Sequence, residues 1–148
     1  MTVPDPVGTL RSILGLEASI TALVPAARIY AAELPASVAA SLPGEAAIVL
    51  AHAGGFPTDG YARIDRPRID VKVYAPTPQL AQLISLTVHA VLKQIDQRVA
   101  AATVSGVKGR IYGARPAGGM SPLRDETLSD TPMAFRSYEL LVSELAIA

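Results

Sequence analysis

The sequence predicts an α+β domain: a single mixed, largely antiparallel sheet with two helices packed on one face. Three observations carry this. From Arg68 to Tyr74 the chain alternates strictly, with Ile69, Val71 and Val73 on one side and Arg68, Asp70, Lys72 and Tyr74 on the other, the period of a half-buried strand. Directly after it, Leu80, Leu83, Ile84, Thr87, Val88, Val91, Leu92 and Ile95 recur at i, i+3, i+4 spacing, the period of an amphipathic helix. Strand-like segments come in runs with few helices between them, a pattern of antiparallel sheets covered on one side.

The elements follow in order. Asp5 or Thr9 is placed to cap a first helix carrying Leu10, Ile13, Leu14, Ile20 and Leu23, weakened at Gly15 and ended by Pro25. "ARIYA" (Ala27–Ala31) predicts a short strand. The alanine-rich "LPASVAASLPGEA" is a proline-bounded connection, and "AAIVLAHA" (Ala46–Ala53) is an apolar run of strand length. "GGFPTDGYARIDRP" (Gly54–Pro67) predicts a long loop or the tip of an extended hairpin. Thr77 and Pro78 read as N-cap and first residue of the second helix. That helix, Gln79–Asp96, would be roughly 27 Å long at a rise of 1.5 Å per residue. "TVSGVKGRIYGARP" (Thr103–Pro116) predicts one glycine-interrupted strand, Ala114–Pro132 an extended loop, and "MAFRSYELLVSELAIA" a closing strand. Both long loops are expected to order on assembly, since loops of this length in compact domains usually serve a function. Nothing marks an internal repeat or a boundary, so residues 1–148 are expected to form a single domain.

Composition narrows the function classes. At 148 residues, half of them apolar, the chain can bury a real core. Thirteen basic and thirteen acidic residues cancel, which argues against a protein that grips nucleic acid through phosphates and leaves self-association open. There is no cysteine, hence no disulfide, thiolate metal site or cysteine nucleophile. This suits a reducing cytosol. The N-terminal residues lack a signal-peptide pattern, and no apolar run reaches the length of a membrane span. A cytoplasmic protein without membrane contact is the expectation.

No candidate chemistry emerges. Gly106, Gly109 and Gly113 have the wrong spacing for a dinucleotide fingerprint, and no phosphate loop, His-Glu-x-x-His or Gly-x-Ser-x-Gly is present. His52, in an apolar strand, reads as a partly buried and satisfied imidazole. His89, opposite the leucine stripe, reads as solvent-facing. Asp65 and Asp70 interleave with Arg63, Arg66 and Arg68, which predicts an exposed, salt-bridged surface rather than an acid–base pair. Asp125, Glu126 and Asp130 read as solvating charge. The arginine cluster could touch phosphate, but only Tyr61 accompanies it as an aromatic platform. No cofactor and no metal are expected.

The order and spacing of "LRSILGLEASITALVPAARIYAAELP", "AAIVL", "RPRIDVKVYAPTPQLAQLISLTVHAVL" and "FRSYELLV" carry a likeness over almost the whole chain. It resembles the tail terminator (tail completion) proteins of long-tailed bacteriophages and gene-transfer-agent-like particles. Shared with them are an Arg-Ile-Tyr after the first helix, an Arg-x-Asp-Val strand and a helix directly after that strand. The sequence departs from them in a longer connection, "ASVAASLPGEAA", and in the loop Ala114–Pro132. The resemblance implies a non-enzymatic virion protein. It would form a ring, typically of six subunits, on the head-proximal end of the tail tube, contacting itself, the tail tube protein and the head–tail connector protein. A connector or stopper of the same particle is the neighbouring alternative. A small-molecule-binding or enzymatic α+β domain is the alternative of another class, and it would need a pocket with convergent polar groups.

The physical reading adds an interface. With both helices on one face, the other stays open, presenting Arg63, Arg66, Arg68, Asp70, Lys72 and Tyr74. The last strand puts Tyr138, Leu140 and Val142 on one side and Phe135 and Leu141 on the opposite one. Apolar side chains mixed with both charge signs suit a protein interface.

Overall fold

A computed structural model describes residues 6–39, 42, 44–56, 64–95, 100–104, 107–119, 121–125 and 131–144. These form helices α1 (Pro6–Gly15), α2 (Ala18–Thr21), α3 (Ala36–Ala39) and α4 (Pro78–Ile95), with a 3-10 turn at Ala26–Arg28. The strands are β1 (Ile29–Ala31), β2 (Ala47–Phe56), β3 (Ile64–Tyr74), β4 (Ala100–Val104), β5 (Val107–Pro116), β6 (Ser121–Asp125) and β7 (Thr131–Glu144). They make one seven-stranded sheet in the order β1-β2-β3-β7-β5-β4, with β6 paired to the first half of β7. Only β1 and β2 run parallel; every other pairing is antiparallel. The sheet is mixed and largely antiparallel, as the sequence predicts.

The two long helices share one face. Ile48 and Leu50 of β2, Ile69, Val71 and Val73 of β3, and Ala134, Tyr138, Leu140 and Val142 of β7 meet Leu10 and Leu14 of α1 and Ile84, Val88 and Leu92 of α4 in one core. Each of these side chains is essentially removed from water. A fully buried side chain of this kind contributes about 1.5–3 kcal/mol, so the β3 triplet alone is a large part of a marginal domain's stability. The start of α4 matches its sequence signal. Thr77 Oγ1 accepts a hydrogen bond from the Leu80 amide at 3.2 Å, satisfying one of the donors a helix leaves open at its first turn.

The Arg-Ile-Tyr stretch has a structural task. Ile29 is in the core, while Arg28 Nε donates to the Ala46 carbonyl at 2.7 Å and its Nη1 lies 2.6 Å from Glu45 Oε2. Arg11 Nε donates to the Ile29 carbonyl at 2.6 Å. The two arginines therefore tie α1 and the connection before β2 to the short parallel strand.

Several expectations need correction. The first helix stops at Gly15, ten residues before Pro25, and Thr9 is buried inside α1 rather than at its start; Asp5 lies outside the described residues. Gly15 sits where a Cβ would meet the Ala26 Cβ at 3.4 Å, so the break coincides with a close approach of the following turn. On α4, Leu83 is half exposed and the stripe is centred instead on Ala81, Ile84, Ser85, Val88, Val91, Leu92 and Ile95. The segment read as one strand over Thr103–Pro116 is a hairpin: β4 pairs with β5 from Ala100↔Ile111 to Val104↔Val107. The region read as the loop Ala114–Pro132 contains the end of β5, all of β6 and the start of β7. Of the two readings of Gly54–Pro67 the hairpin fits, since β2 reaches Phe56 and its antiparallel partner β3 starts at Ile64; residues 57–63 lie outside the described residues.

Candidate interaction surface

The face of the sheet away from α1 and α4 divides in two. Arg68, Asp70, Lys72 and Tyr74 all point to it by strand parity, as do Phe135, Ser137, Glu139 and Leu141 on β7. Register places Arg68 opposite Glu139, Asp70 opposite Ser137, Lys72 opposite Phe135 and Tyr74 opposite Met133. Arg66 and Arg68 are exposed, while Asp70, Lys72, Phe135, Glu139 and Leu141 are half-buried. This half is open, as expected, and mixes both charge signs with apolar surface.

The Tyr74 end is covered. Tyr74 is 5% exposed and packs with Leu42 and Val49 in a second, small cluster that Leu34 and Met133 border. Both leucines come from the connection between β1 and β2. Tyr74 therefore leaves the interface set and joins a core. Arg63 lies outside the described residues.

Asp70 also differs from its expected role. Its Oδ1 accepts a hydrogen bond from Ser137 Oγ at 2.5 Å, a cross-strand pair on the open face. Among the described residues no arginine bridges to it. His52 is exposed rather than partly buried, because β2 is bulged between His52 and Gly55 and leaves the core there.

His89 is the residue that sequence reasoning misplaced most. It is half-buried rather than solvent-facing, and its Nδ1 lies 3.0 Å from the Tyr138 hydroxyl, with the rings tilted at a centroid separation of 5.9 Å. Partial burial lowers its proton affinity first, and the positive charges of Arg136 and Lys93 lower it further. Burial pushes the Tyr138 hydroxyl up, opposed by a hydrogen bond from Arg136 and by that guanidinium's charge. Arg can only donate, so the Tyr138 oxygen accepts from Arg136, and the direction of its hydrogen bond with His89 Nδ1 follows the imidazole tautomer. Arg136 Nε is buried with no hydrogen-bond partner among the described residues.

This cluster borders a cleft of about 400 Å³ where α4 passes the bulged β5. Arg66 of β3, His89 and Lys93 of α4, Gly113–Pro116 of β5, and Tyr138, Glu139 and Leu141 of β7 line it. The bulge between Ile111 and Gly113 shifts the register with β7, and side chains of both sheet faces contribute to the lining. The sequence carried one usable signal. Arg136 and Tyr138 are two apart on a strand, hence on one face, and the same face holds Val71 and Ile69 under α4; a buried arginine beside a tyrosine asks for a partner on the helix. Among the described residues no group of three His, Cys, Asp or Glu could hold a metal ion, and no helix is long and apolar enough to cross a membrane.

No protein-family model matches the chain, and no curated protein sequence does. Among solved structures it is similar to a chain of the "Virion of native gene transfer agent (GTA) particle", at 17% identity, covering 95% of this chain and 99% of that one with a TM-score of 0.62. At that identity the likeness is one of fold, and it runs end to end in both chains.

Proposed function

We infer that this chain is a structural, non-enzymatic protein of a virion or gene-transfer particle, and within it the tail terminator. It forms a ring, of six subunits, on the head-proximal end of the tail tube, stops tube polymerisation and receives the head–tail connector. One observation carries the reading: the fold likeness to a gene transfer agent virion chain leaves almost nothing of either chain unmatched. The resemblance in the order of sequence motifs supports the narrower role.

The open half of the sheet supplies one of the two different patches that a closed heterologous ring needs on each subunit. Arg66, Arg68, Asp70, Lys72, Phe135 and Leu141 are the contacts proposed for it. Their mixture of charge signs favours one register over others, since like charges brought together across an interface cost several kcal/mol.

Removing the gene from a producing strain is the test. Lysates should contain filled heads beside overlong or unattached tails. Normal-length tails joined to heads would exclude the terminator role. A connector or stopper would show instead as capped tails of correct length beside heads that have lost their contents.

A further inference from the structure

The cleft beside α4 holds a charge imbalance, and it shares Arg66 and Leu141 with the proposed ring contacts. Among the described residues, Arg66, Lys93 and Arg115 border it against one carboxylate, Glu139, and all three cations are exposed. Arg136 adds a fourth cation next to Tyr138, with a buried Nε that finds no partner among the described residues. The chain as a whole is neutral, so this is a local excess, not general basicity. The proton affinity of His89 beside them is lowered by burial first and then by the charges of Arg136 and Lys93.

The shape selects among anions. Single-stranded nucleic acid needs a basic groove that tracks a backbone, with aromatic faces for the bases. Here the recess is compact, Glu139 would oppose a phosphate, and the Tyr138 ring is 1% exposed and cannot stack. Ala114, Pro116 and Leu141 add apolar lining next to the cations. Isolated carboxylates flanked by apolar side chains fit such a mixture better than a phosphate chain does.

We propose that this cleft is a docking site for an acidic peptide segment of a partner protein, with its carboxylates on Arg66, Lys93 and Arg115 and an apolar side chain against Ala114, Pro116 and Leu141. The site goes beyond the ring reading and stands without it, because the isolated chain must bind such a segment whether or not it assembles.

The probe is a fluorescein-labelled Glu-Leu-Glu-Glu-Leu-Glu peptide, titrated with the full chain and followed by anisotropy. Saturable binding that weakens with salt is expected. Lys93→Glu and Arg115→Glu should each weaken it by about tenfold or more, a loss of about 1.4 kcal/mol, at unchanged melting temperature. Lys72→Glu, six positions along β3 from Arg66, should leave binding within about twofold, a change of a few tenths of a kcal/mol. In NMR titrations the His89 imidazole should gain proton affinity when the peptide is bound, which a purely structural cluster would not show. Absence of saturable binding, equal weakening by Lys72→Glu, or displacement of the peptide by a short DNA duplex at lower concentration than by unlabelled peptide would each overturn the assignment.

Discussion

The two faces of the central sheet use the same strands for different ends. On the helix side, Ile69, Val71, Val73, Tyr138 and Leu140 are all 1% exposed or less. One residue further along the same strands, Arg68 is exposed, and Asp70, Lys72 and Phe135 are half-buried. Alternation of period two sets stability and surface chemistry side by side in one segment. The covered face tolerates little, because a close-packed core registers even a methylene. The open face tolerates much, which leaves its charge pattern free to serve recognition. Tyr74 shows the limit of this division, since Leu34 and Leu42 cover it at one end of the open face and form a second core.

The largest effect should come from putting a charge on the covered face. Val71→Asp, at a site 1% exposed, would bury an unpaired carboxylate under α4 and should cost several kcal/mol, enough to unfold a marginal domain. Loss of the cooperative thermal transition in circular dichroism checks it; a wild-type melting curve would mean that α4 is not held against β3.

Tyr138→Phe keeps the ring in place but removes the hydroxyl between Arg136 and His89. The expected cost is about 1–3 kcal/mol, because polar groups that shared the hydroxyl lose their partner. Denaturant midpoints at constant m-value measure it, and an unchanged midpoint would show that the cluster contributes nothing.

His89 gives the covered side a pH dependence. Its proton affinity is lowered in the folded chain from an ordinary 6.5, so the unfolded chain binds the proton first as pH falls. The stability this supplies is fully present above 6.5 and declines as pH drops below it through the folded value. His89→Gln should flatten stability against pH in that window. A slope identical to wild type would assign the dependence to other groups.

A smaller gain is expected at Ala32, just after β1, whose φ of 74° is in the left-handed region. An L-residue there costs roughly 1–2 kcal/mol, and glycine recovers it less about 0.4–1 kcal/mol of unfolded-state entropy. Ala32→Gly should therefore stabilise by about 0.5–1 kcal/mol, visible as a higher melting temperature; a drop would contradict the backbone geometry.

Least affected in stability, and most informative about the open face, is Lys72→Glu. It should change stability by no more than about 0.5 kcal/mol and still impair assembly of particles in a complementation assay. Full complementation would confine the proposed ring contacts to other residues.

Local pattern was enough for much of this protein. The alternation over Arg68–Tyr74, the Thr77–Pro78 start of α4 and its amphipathic run are properties of short windows, where period and capping chemistry act without reference to distant residues. They determined the α+β class, the one-sided placement of the two long helices and the inward triplet Ile69, Val71 and Val73. What the tertiary structure alone decided depends on residues far apart in the chain. Leu34 and Leu42 cover Tyr74, Ser137 rather than an arginine engages Asp70, and His89 meets Tyr138 across forty-nine positions. The cleft exists because α4 and the bulged β5 converge beside β7, and no window of sequence contains that meeting. Periodicity tells which face of an element is apolar; only packing tells what comes to lie against the other.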